Sequence, residues 1–214
     1  MLIDPLEDAG LDALVKRWGV AAGNNIVVDP ARRLPYVSAA NLFVTDYTEH
    51  PIVNKMKTLM TLFPLARSIS AETPAPSGIT VTPLALTSAS GWGETDTSNE
   101  KFQFNNGQDL KGPVSIAVAV ERNQPVKTRL VVIGDSEFMV NGQIDNVGNR
   151  DFIMGTLYWL TEQEGLIGIS ARPIESIKLN LTSSQLSAIF WLSFAGLPAL
   201  MGLCGVGMWW SRRN

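Results

Sequence analysis

Apolar and polar residues alternate in blocks along the first 170 residues, and the blocks predict short strands and helices. Three apolar runs are rich in β-branched residues and free of charge, which is typical of strands buried on both faces. These runs are 79–87, 114–120 and 130–134. Helical spacing of apolar residues recurs in three other segments, which are 8–19, 51–63 and 149–162. Because strands and helices alternate, residues 1–170 are predicted to form an α/β domain with an open, mostly parallel, flavodoxin-like sheet.

A continuous apolar segment covers residues 186–210, where the only ionisable side chain is the thiol of Cys204. A helix of this length reaches about 37 Å, which exceeds the hydrocarbon core of a bilayer at about 30 Å. The segment has no polar face, and Trp209 and Trp210 stand at its end, where aromatic rings favour the headgroup layer. The segment is therefore predicted to be a transmembrane helix; a buried core helix is the alternative.

The charges that flank this helix predict its orientation. Arg212 and Arg213 place the tail, residues 211–214, in the cytoplasm if the positive-inside rule holds. Residues 171–185 form an alternating juxtamembrane segment, extended or a last edge strand. The domain formed by residues 1–170 is then expected outside the cytoplasm.

The composition excludes several classes of function. Charged residues make up 17% of the chain, against roughly 25% in an ordinary soluble domain. The net charge is −3 although the tail holds two arginines, so the domain is mildly acidic. It lacks the excess of positive charge that binding to nucleic acid or to an anionic membrane surface requires. One His and one Cys exclude most metal sites and any internal disulfide. We expect neither a metal nor another cofactor.

The strand at 130–134 runs into Gly134-Asp135-Ser136, which resembles the nucleophile block of the Gly-Asp-Ser lipases and esterases. Such a serine needs a histidine base, usually from an Asp-x-x-His late in the chain. The only histidine, His50, lies upstream. The two readings are a membrane-tethered hydrolase that uses Ser136 and a polar turn in which Asp135 and Ser136 bond to the backbone.

Asparagines follow the same strand, near the edge where open sheets place their ligands. Asn141 and Asn149, together with Asp135 and Ser136, are therefore candidate ligand-binding residues. Asn and Asp are also ordinary turn and helix-cap residues, which is the alternative interpretation.

Taken together, segments spread in order over the whole chain resemble the auxiliary component of the gliding-motility-type ABC transporters. The matching segments are 4–5, 14–20, 50–52, 63–69, 86–92, 111–113, 132–138, 149–152 and 159–164. The family's membrane-anchored α/β domain is described as ciliary-transport-like or glutamine-amidotransferase-like. Amidotransferase enzymes of that fold use a Cys nucleophile, which this domain lacks, so the resemblance implies a non-enzymatic subunit.

The resemblance also implies a location and partners. Members have an N-terminal span, an extracytoplasmic region and a C-terminal span in the bacterial inner membrane, and they work with ABC permease and ATPase subunits. Residues 1–5 look like the end of a strand without its beginning, and no signal peptide precedes them. We therefore expect the sequence to be N-terminally truncated, with a single span in this chain.

Small residues in the apolar segment suggest how it meets a permease. Ala195, Ala199 and Gly202 allow a close approach of helix backbones in lipid, so they are the predicted docking residues. A helix that serves only as a tether is the alternative.

Overall fold

A computed structural model describes residues 1–7, 10–34, 37–97, 102–163, 165, 167, 187 and 189–213. The chain divides into two compact units, Met1–Ala171 and Arg172–Asn214. The predicted juxtamembrane segment 171–185, and Asp8 at the start of the first predicted helix, lie outside the described residues.

The largest sheet of the first unit has four strands in the order β11-β10-β7-β4. Its strands are β4 (Asp46–Tyr47), β7 (Ile79–Leu86), β10 (Ser115–Arg122) and β11 (Thr128–Ile133). All three pairs are antiparallel, and β10 and β11 form a hairpin in which Val118 faces Val132.

The first unit also contains three smaller antiparallel sheets in its described residues. The strands β1 (Val20–Ala22) and β6 (Ile69–Ala71) form one pair, and β3 (Leu42–Val44) and β5 (Thr61–Phe63) form another. The third sheet has the order β2-β8-β9, with β2 at Ile26–Val28, β8 at Trp92–Glu94 and β9 at Leu110–Lys111.

Helices contribute little to this unit. The helix α1 spans Asp12–Arg17 and α2 spans Asn149–Leu160, and short 3₁₀ turns lie at Pro30–Arg32, Met56–Thr58 and Glu137–Met139. The helix predicted at 149–162 is confirmed as α2, which buries Phe152, Thr156 and Trp159 at helical spacing.

The four-stranded sheet is covered on both faces, because β10 sends side chains alternately into two apolar clusters. Ala117 and Ala119 join a cluster that contains Phe152 and Trp159 of α2. Val118 and Val120 join a second cluster with side chains from α1, β1 and β6. The absence of charge over residues 115–120 of β10 follows from this double burial, and the charged Glu121 and Arg122 stand where the strand is only partly buried.

The predicted open, mostly parallel sheet is wrong. Every pair of named strands in the described part of the chain is antiparallel, and the one parallel contact is an isolated bridge between Leu2 and Ile133. An uninterrupted apolar strand reports burial on both faces, and an antiparallel strand in mid-sheet meets that condition as well as a parallel one. The flavodoxin-like and amidotransferase-like expectation fails for that reason.

The helix predicted over 51–63 is also wrong. The chain forms turns up to Lys55, a 3₁₀ turn at Met56–Thr58 and then strand β5, whose Phe63 pairs with Leu42. Ile52, Met56 and Phe63 are all buried, as their spacing predicts. The same spacing did not predict the backbone conformation, which is not helical. Pairing with β3 overrides the helical pattern.

The second unit contains one apolar helix over Ile189–Ser211, with 23 residues, a mean hydropathy of 1.8 and no burial of its most apolar stretch inside the chain. This helix is long and apolar enough to cross a membrane. It includes a π turn, Leu192–Gly196, followed by α3 (Leu197–Ser211). Pro198 lies in the first turn of α3, and the wider turn before it accommodates the missing backbone donor and the bulk of the ring.

Candidate functional site

The Gly-Asp-Ser segment lies directly after β11 and is bonded to the N-terminal segment of the chain. The carboxylate of Asp4 accepts the Ser136 backbone N–H at 2.6 Å and its hydroxyl at 2.7 Å. Ile3 N–H donates to the carbonyl of Ile133, which brings Asp4 to the end of the strand. The Ser136 hydroxyl is therefore held by a carboxylate that lies 132 positions away in the sequence.

Asp135 is fully buried beside this pair. Its Oδ1 accepts the backbone N–H of Glu137 at 2.7 Å, whereas its Oδ2 is buried without a hydrogen-bond partner. Burial raises the pKa of Asp135 to about 7, and the carboxylates of Asp4 and Glu137 add to the increase, which backbone amides oppose. Asp135 thus exchanges a proton near neutral pH in the folded state.

The contacts of Ser136 and His50 differ from those of a catalytic pair. His50 is buried, its Nδ1 accepts the backbone N–H of Ile52 at 3.3 Å, and its ring packs edge-on against Trp159 with centroids 5.0 Å apart. Ser136 donates to Asp4. Neither contact is the serine-to-imidazole bond that activates a nucleophile in a serine hydrolase.

Asn149 is buried at the start of α2, and its amide connects three segments. Its Oδ1 accepts the N–H of Leu62, and its Nδ2 donates to the carbonyls of Leu62, Phe138 and Gln143 at 2.9–3.1 Å. These bonds use the whole amide, so the side chain holds β5 and the turn after β11 against the helix. Asn141 is exposed in that turn. The structure therefore brings Asp135 and Ser136 together, while Asn149 is occupied and Asn141 faces solvent.

A second aspartate binds a second serine with the same geometry. Asp29 is 4% exposed, and it accepts the backbone N–H and the hydroxyl of Ser88, both at 2.7 Å. Ser88 follows β7 as Ser136 follows β11, and the Ser90 hydroxyl lies 3.0 Å from that of Ser88. This pair has no Gly-Asp-Ser sequence, so the bonding pattern does not require one.

Sequence reasoning missed a groove of about 390 Å³ between the β1–β6 pair and the β8–β9 strands, with a lining of both polar and apolar groups. Asn25 and Ser68 bond to each other there, and Asp109 lies among the same lining residues. No local motif marks these residues, because the two that bond are 43 positions apart in the sequence. Among the residues that the structure describes, no three His, Cys, Asp or Glu side chains are grouped as a metal ion would require.

The candidate docking residues Ala195, Ala199 and Gly202 all lie in the apolar helix. A Cβ atom added at Gly202, Gly205 or Gly207 would meet nothing within 4 Å in this chain. Small side chains therefore leave open space along the helix surface, which no other described part of the chain fills.

Fold and sites together define a small β-rich domain, with two carboxylate–serine pairs, that is followed by one apolar helix. The family described as "ABC-type uncharacterized transport system", whose members are auxiliary components, matches residues 3–156, and the chain belongs to this family. The match covers the folded unit and ends within α2, before the apolar helix. No curated protein matches the chain.

The fold is similar to that of a solved structure, "mmIFT52 N-terminal domain", with a TM-score of 0.51 and 17% sequence identity. The similarity covers 75% of this chain and 64% of that structure. At this identity the similarity concerns the fold alone, and it replaces the parallel α/β sheet expected from the sequence.

Proposed function

We propose that the chain is a non-enzymatic, membrane-anchored auxiliary subunit of an ABC-type transport system, and that its folded unit binds or gates outside the cytoplasm. Family membership supports the association with ABC transport. The helix over Ile189–Ser211 supports anchoring in a cytoplasmic membrane, the bacterial inner membrane. Permease and ATPase subunits are then the partners, and a gliding-motility type of system is the finer form of the same proposal.

The observation that carries the docking proposal is the exposure of the helix. Its most apolar stretch is unburied by any described part of the chain. Gly202, Gly205 and Gly207 have free space at the Cβ position. In lipid, close packing of backbones drives helix association, and small residues permit it. A permease helix that lies against Ala199 and Gly202 would use this space.

The end of the helix supports the proposed orientation. Arg213 lies over the ring of Trp209 at 5.0 Å, so a cation and an aromatic ring that favours the headgroup layer stand together there. In the proposed topology this end is cytoplasmic. Fusion of a phosphatase or a fluorescent protein to the C-terminus tests the topology: fluorescence without phosphatase activity supports it, and an active phosphatase contradicts it.

Docking is tested by leucine substitutions that fill the space. Ala199→Leu and Gly202→Leu lie about 60° apart round the helix, and we expect both to reduce co-purification with the permease while the protein stays in the membrane. Ala195→Leu, in the π turn, completes the set. Gly207→Leu is the matched control, because it adds the same side chain into equally free space about 140° from Gly202.

A result in which the complex survives all of these changes would show that the helix is only a tether. An equal loss with Gly207→Leu would assign the effect to the helix as a whole rather than to one face. Membrane fractionation of each variant separates either result from a failure of insertion.

A further inference from the structure

The groove that the sequence did not reveal has a floor made of two buried polar side chains. Ser68 N–H donates to Asn25 Oδ1, and Asn25 Nδ2 donates to Ser68 Oγ, both at 3.0 Å. Asn25 is 5% exposed and Ser68 is 3% exposed. Asn25 keeps a second amide proton and Ser68 keeps its hydroxyl proton, and neither proton has an acceptor among the described residues. Two unused donors in a buried floor point to a ligand.

Missing side chains create the space for this floor. A Cβ at Gly93 would lie 2.8 Å from Asn25 Nδ2, and a Cβ at Gly23 would lie 2.1 Å from Ser68 Oγ. Both distances are shorter than contacts that carbon atoms tolerate, so a side chain at either position displaces the amide or the hydroxyl. The backbone approaches Asn25 and Ser68 closely only because glycine stands at both places.

Asp109 supplies an acceptor among the lining residues. Its Oδ1 accepts the backbone N–H and the hydroxyl of Thr95 at 2.9 and 2.8 Å, and its Oδ2 accepts the N–H of Asn105 at 2.6 Å. Desolvation acts to raise the pKa of Asp109, but these hydrogen bonds outweigh it and lower the pKa. The carboxylate is therefore ionised at neutral pH and only accepts hydrogen bonds.

The charges around the groove exclude an anionic ligand. Asp109 is the one charged side chain among the residues that line the groove. The nearby Arg67 is 4% exposed. Its guanidinium donates hydrogen bonds to the backbone carbonyls of Gly23, Ala22 and Asp4, so these donors are directed at the backbone. A phosphate or carboxylate would meet the negative charge of Asp109, and no Lys or Arg is among the described lining residues to pair with it.

The remaining lining combines hydroxyl and amide groups with an apolar side. Ser70, Thr95 and Gln108 add polar groups, and Leu110, 44% exposed, adds aliphatic surface. No aromatic side chain is among the described residues of the lining. A ligand is therefore recognised by hydrogen bonds at its edge and by aliphatic contact, not by ring stacking.

We propose that this groove binds a neutral saccharide, with Asn25 and Ser68 donating to hydroxyl oxygens and Asp109 Oδ2, which holds one hydrogen bond in the described chain, accepting from one hydroxyl proton. Each hydroxyl of a sugar both donates and accepts, which fits a floor of donors beside a fixed acceptor. A volume of about 390 Å³ suits one or two sugar rings. This site goes beyond the proposed function, since it needs no permease.

Saturation-transfer NMR tests the site on the full chain in lipid nanodiscs, which avoid detergents with sugar headgroups. The probes are glucose, galactose, mannose, N-acetylglucosamine, maltose and cellobiose, with glucose 6-phosphate as the anionic comparison. We expect transfer to at least one neutral sugar and none to the phosphate. No transfer to any neutral sugar, or stronger transfer to the phosphate, would overturn the proposal.

Substitutions locate the binding. Ser68→Ala removes one donor, and we expect a roughly tenfold loss of affinity. Gly93→Ala should abolish binding by displacing the Asn25 amide. Gln108→Ala changes an exposed side chain, so we expect weaker binding and an unchanged fold. This variant keeps the test decisive if the buried substitutions unfold the protein. Gly142→Ala is the matched control, because its Cβ meets nothing within 4 Å. Binding that is unchanged in all three groove variants would refute the site.

Discussion

The two aspartate–serine pairs of the folded unit share their bonds and differ in their surroundings. Asp4 and Asp29 each precede a proline, and each accepts the N–H and the hydroxyl of a serine just beyond a strand of the four-stranded sheet. Directly before Ser136 lies the fully buried carboxyl group of Asp135, whereas directly before Ser88 lies the buried but neutral Thr87, whose hydroxyl donates to the Ser88 carbonyl.

This difference shows which contacts of the Gly-Asp-Ser segment are ordinary structural ones and which group in it is unusual. The bonds of its serine are those of any serine held by an aspartate at a strand end, as Ser88 demonstrates. What distinguishes the segment is Asp135, a carboxyl group with one buried oxygen that lacks a partner. The predictions below test whether the two pairs differ in this respect alone.

The largest expected effect is a pH dependence confined to the Asp4–Ser136 side. The pKa of Asp135 is about 7 in the folded state against 3.8 for the free group, so its ionised form costs the folded state free energy. Stability should rise by roughly 4 kcal/mol as the pH falls from about 7 to about 4, because the folded state takes up the proton first. Asp135→Asn should remove that rise. Denaturant unfolding at several pH values, followed by tryptophan fluorescence, measures it.

The control is Asp12→Asn, which changes an exposed carboxylate in α1 and should keep the wild-type pH profile. An Asp135→Asn variant with the same profile as the wild type would mean that Asp135 stays ionised throughout the window.

The second-largest effect is expected for the pair of Asp29 and Ser88. Asp29→Ala leaves the N–H and the hydroxyl of Ser88 without their charged acceptor in a site where the carboxylate is 4% exposed. We expect a loss of about 3 kcal/mol in the free energy of unfolding. Ser90→Ala, which removes only the exposed neighbouring hydroxyl, should change stability by less than about 0.5 kcal/mol. A small effect of Asp29→Ala would show that water replaces the carboxylate.

A smaller effect is expected for Asp4→Ala above neutral pH. The substitution breaks the same two bonds, but it also removes a carboxylate that raises the pKa of Asp135. The net loss should be about 1–2 kcal/mol at high pH and should grow when Asp135 is protonated. Unfolding at two pH values measures the change, and a loss independent of pH would show that the carboxylates do not interact.

The smallest effect compares the serines themselves. Ser136→Ala and Ser88→Ala each remove one hydroxyl bond, and we expect about 1 kcal/mol for both. Hydrolysis of p-nitrophenyl esters should be absent in the wild type and unaffected by Ser136→Ala. Turnover that disappears in Ser136→Ala alone would instead establish the membrane-tethered hydrolase.

Local patterns predicted the elements that local physics determines. The apolar spacing over 149–162 is sufficient to predict α2, although it placed Leu157 inside, where the structure exposes it and buries Trp159 instead. The uncharged segment after residue 186 is sufficient to predict an apolar helix. The direction of the strands was not predictable, because a strand buried on both faces has the same uninterrupted apolar sequence in a parallel and in an antiparallel sheet. The ladder that joins β5 to β3 likewise depends on residues that the window over 51–63 does not contain.

The sites show the same division. The Gly-Asp-Ser segment drew attention because its residues are adjacent, yet the partner that holds Ser136 is Asp4, far away in the sequence. Asn25 and Ser68 carry no signal in isolation, and only the folded chain brings them to one groove. The glycines that make room for them, Gly23 for Ser68 and Gly93 for Asn25, are also distant in the sequence from the groups that they approach.

The π turn at Leu192–Gly196 changes the rotational phase of the apolar helix. One additional residue in a turn rotates everything after it by about 100° relative to an uninterrupted helix. Ala199 and Gly202 lie after the turn and keep their mutual phase, whereas Ala195 lies within it. Ala195 is next to the last residue of the turn and about one helical turn before Ala199, so the three small residues stay on one side of the helix, and the turn rotates that side away from the residues that precede Leu192.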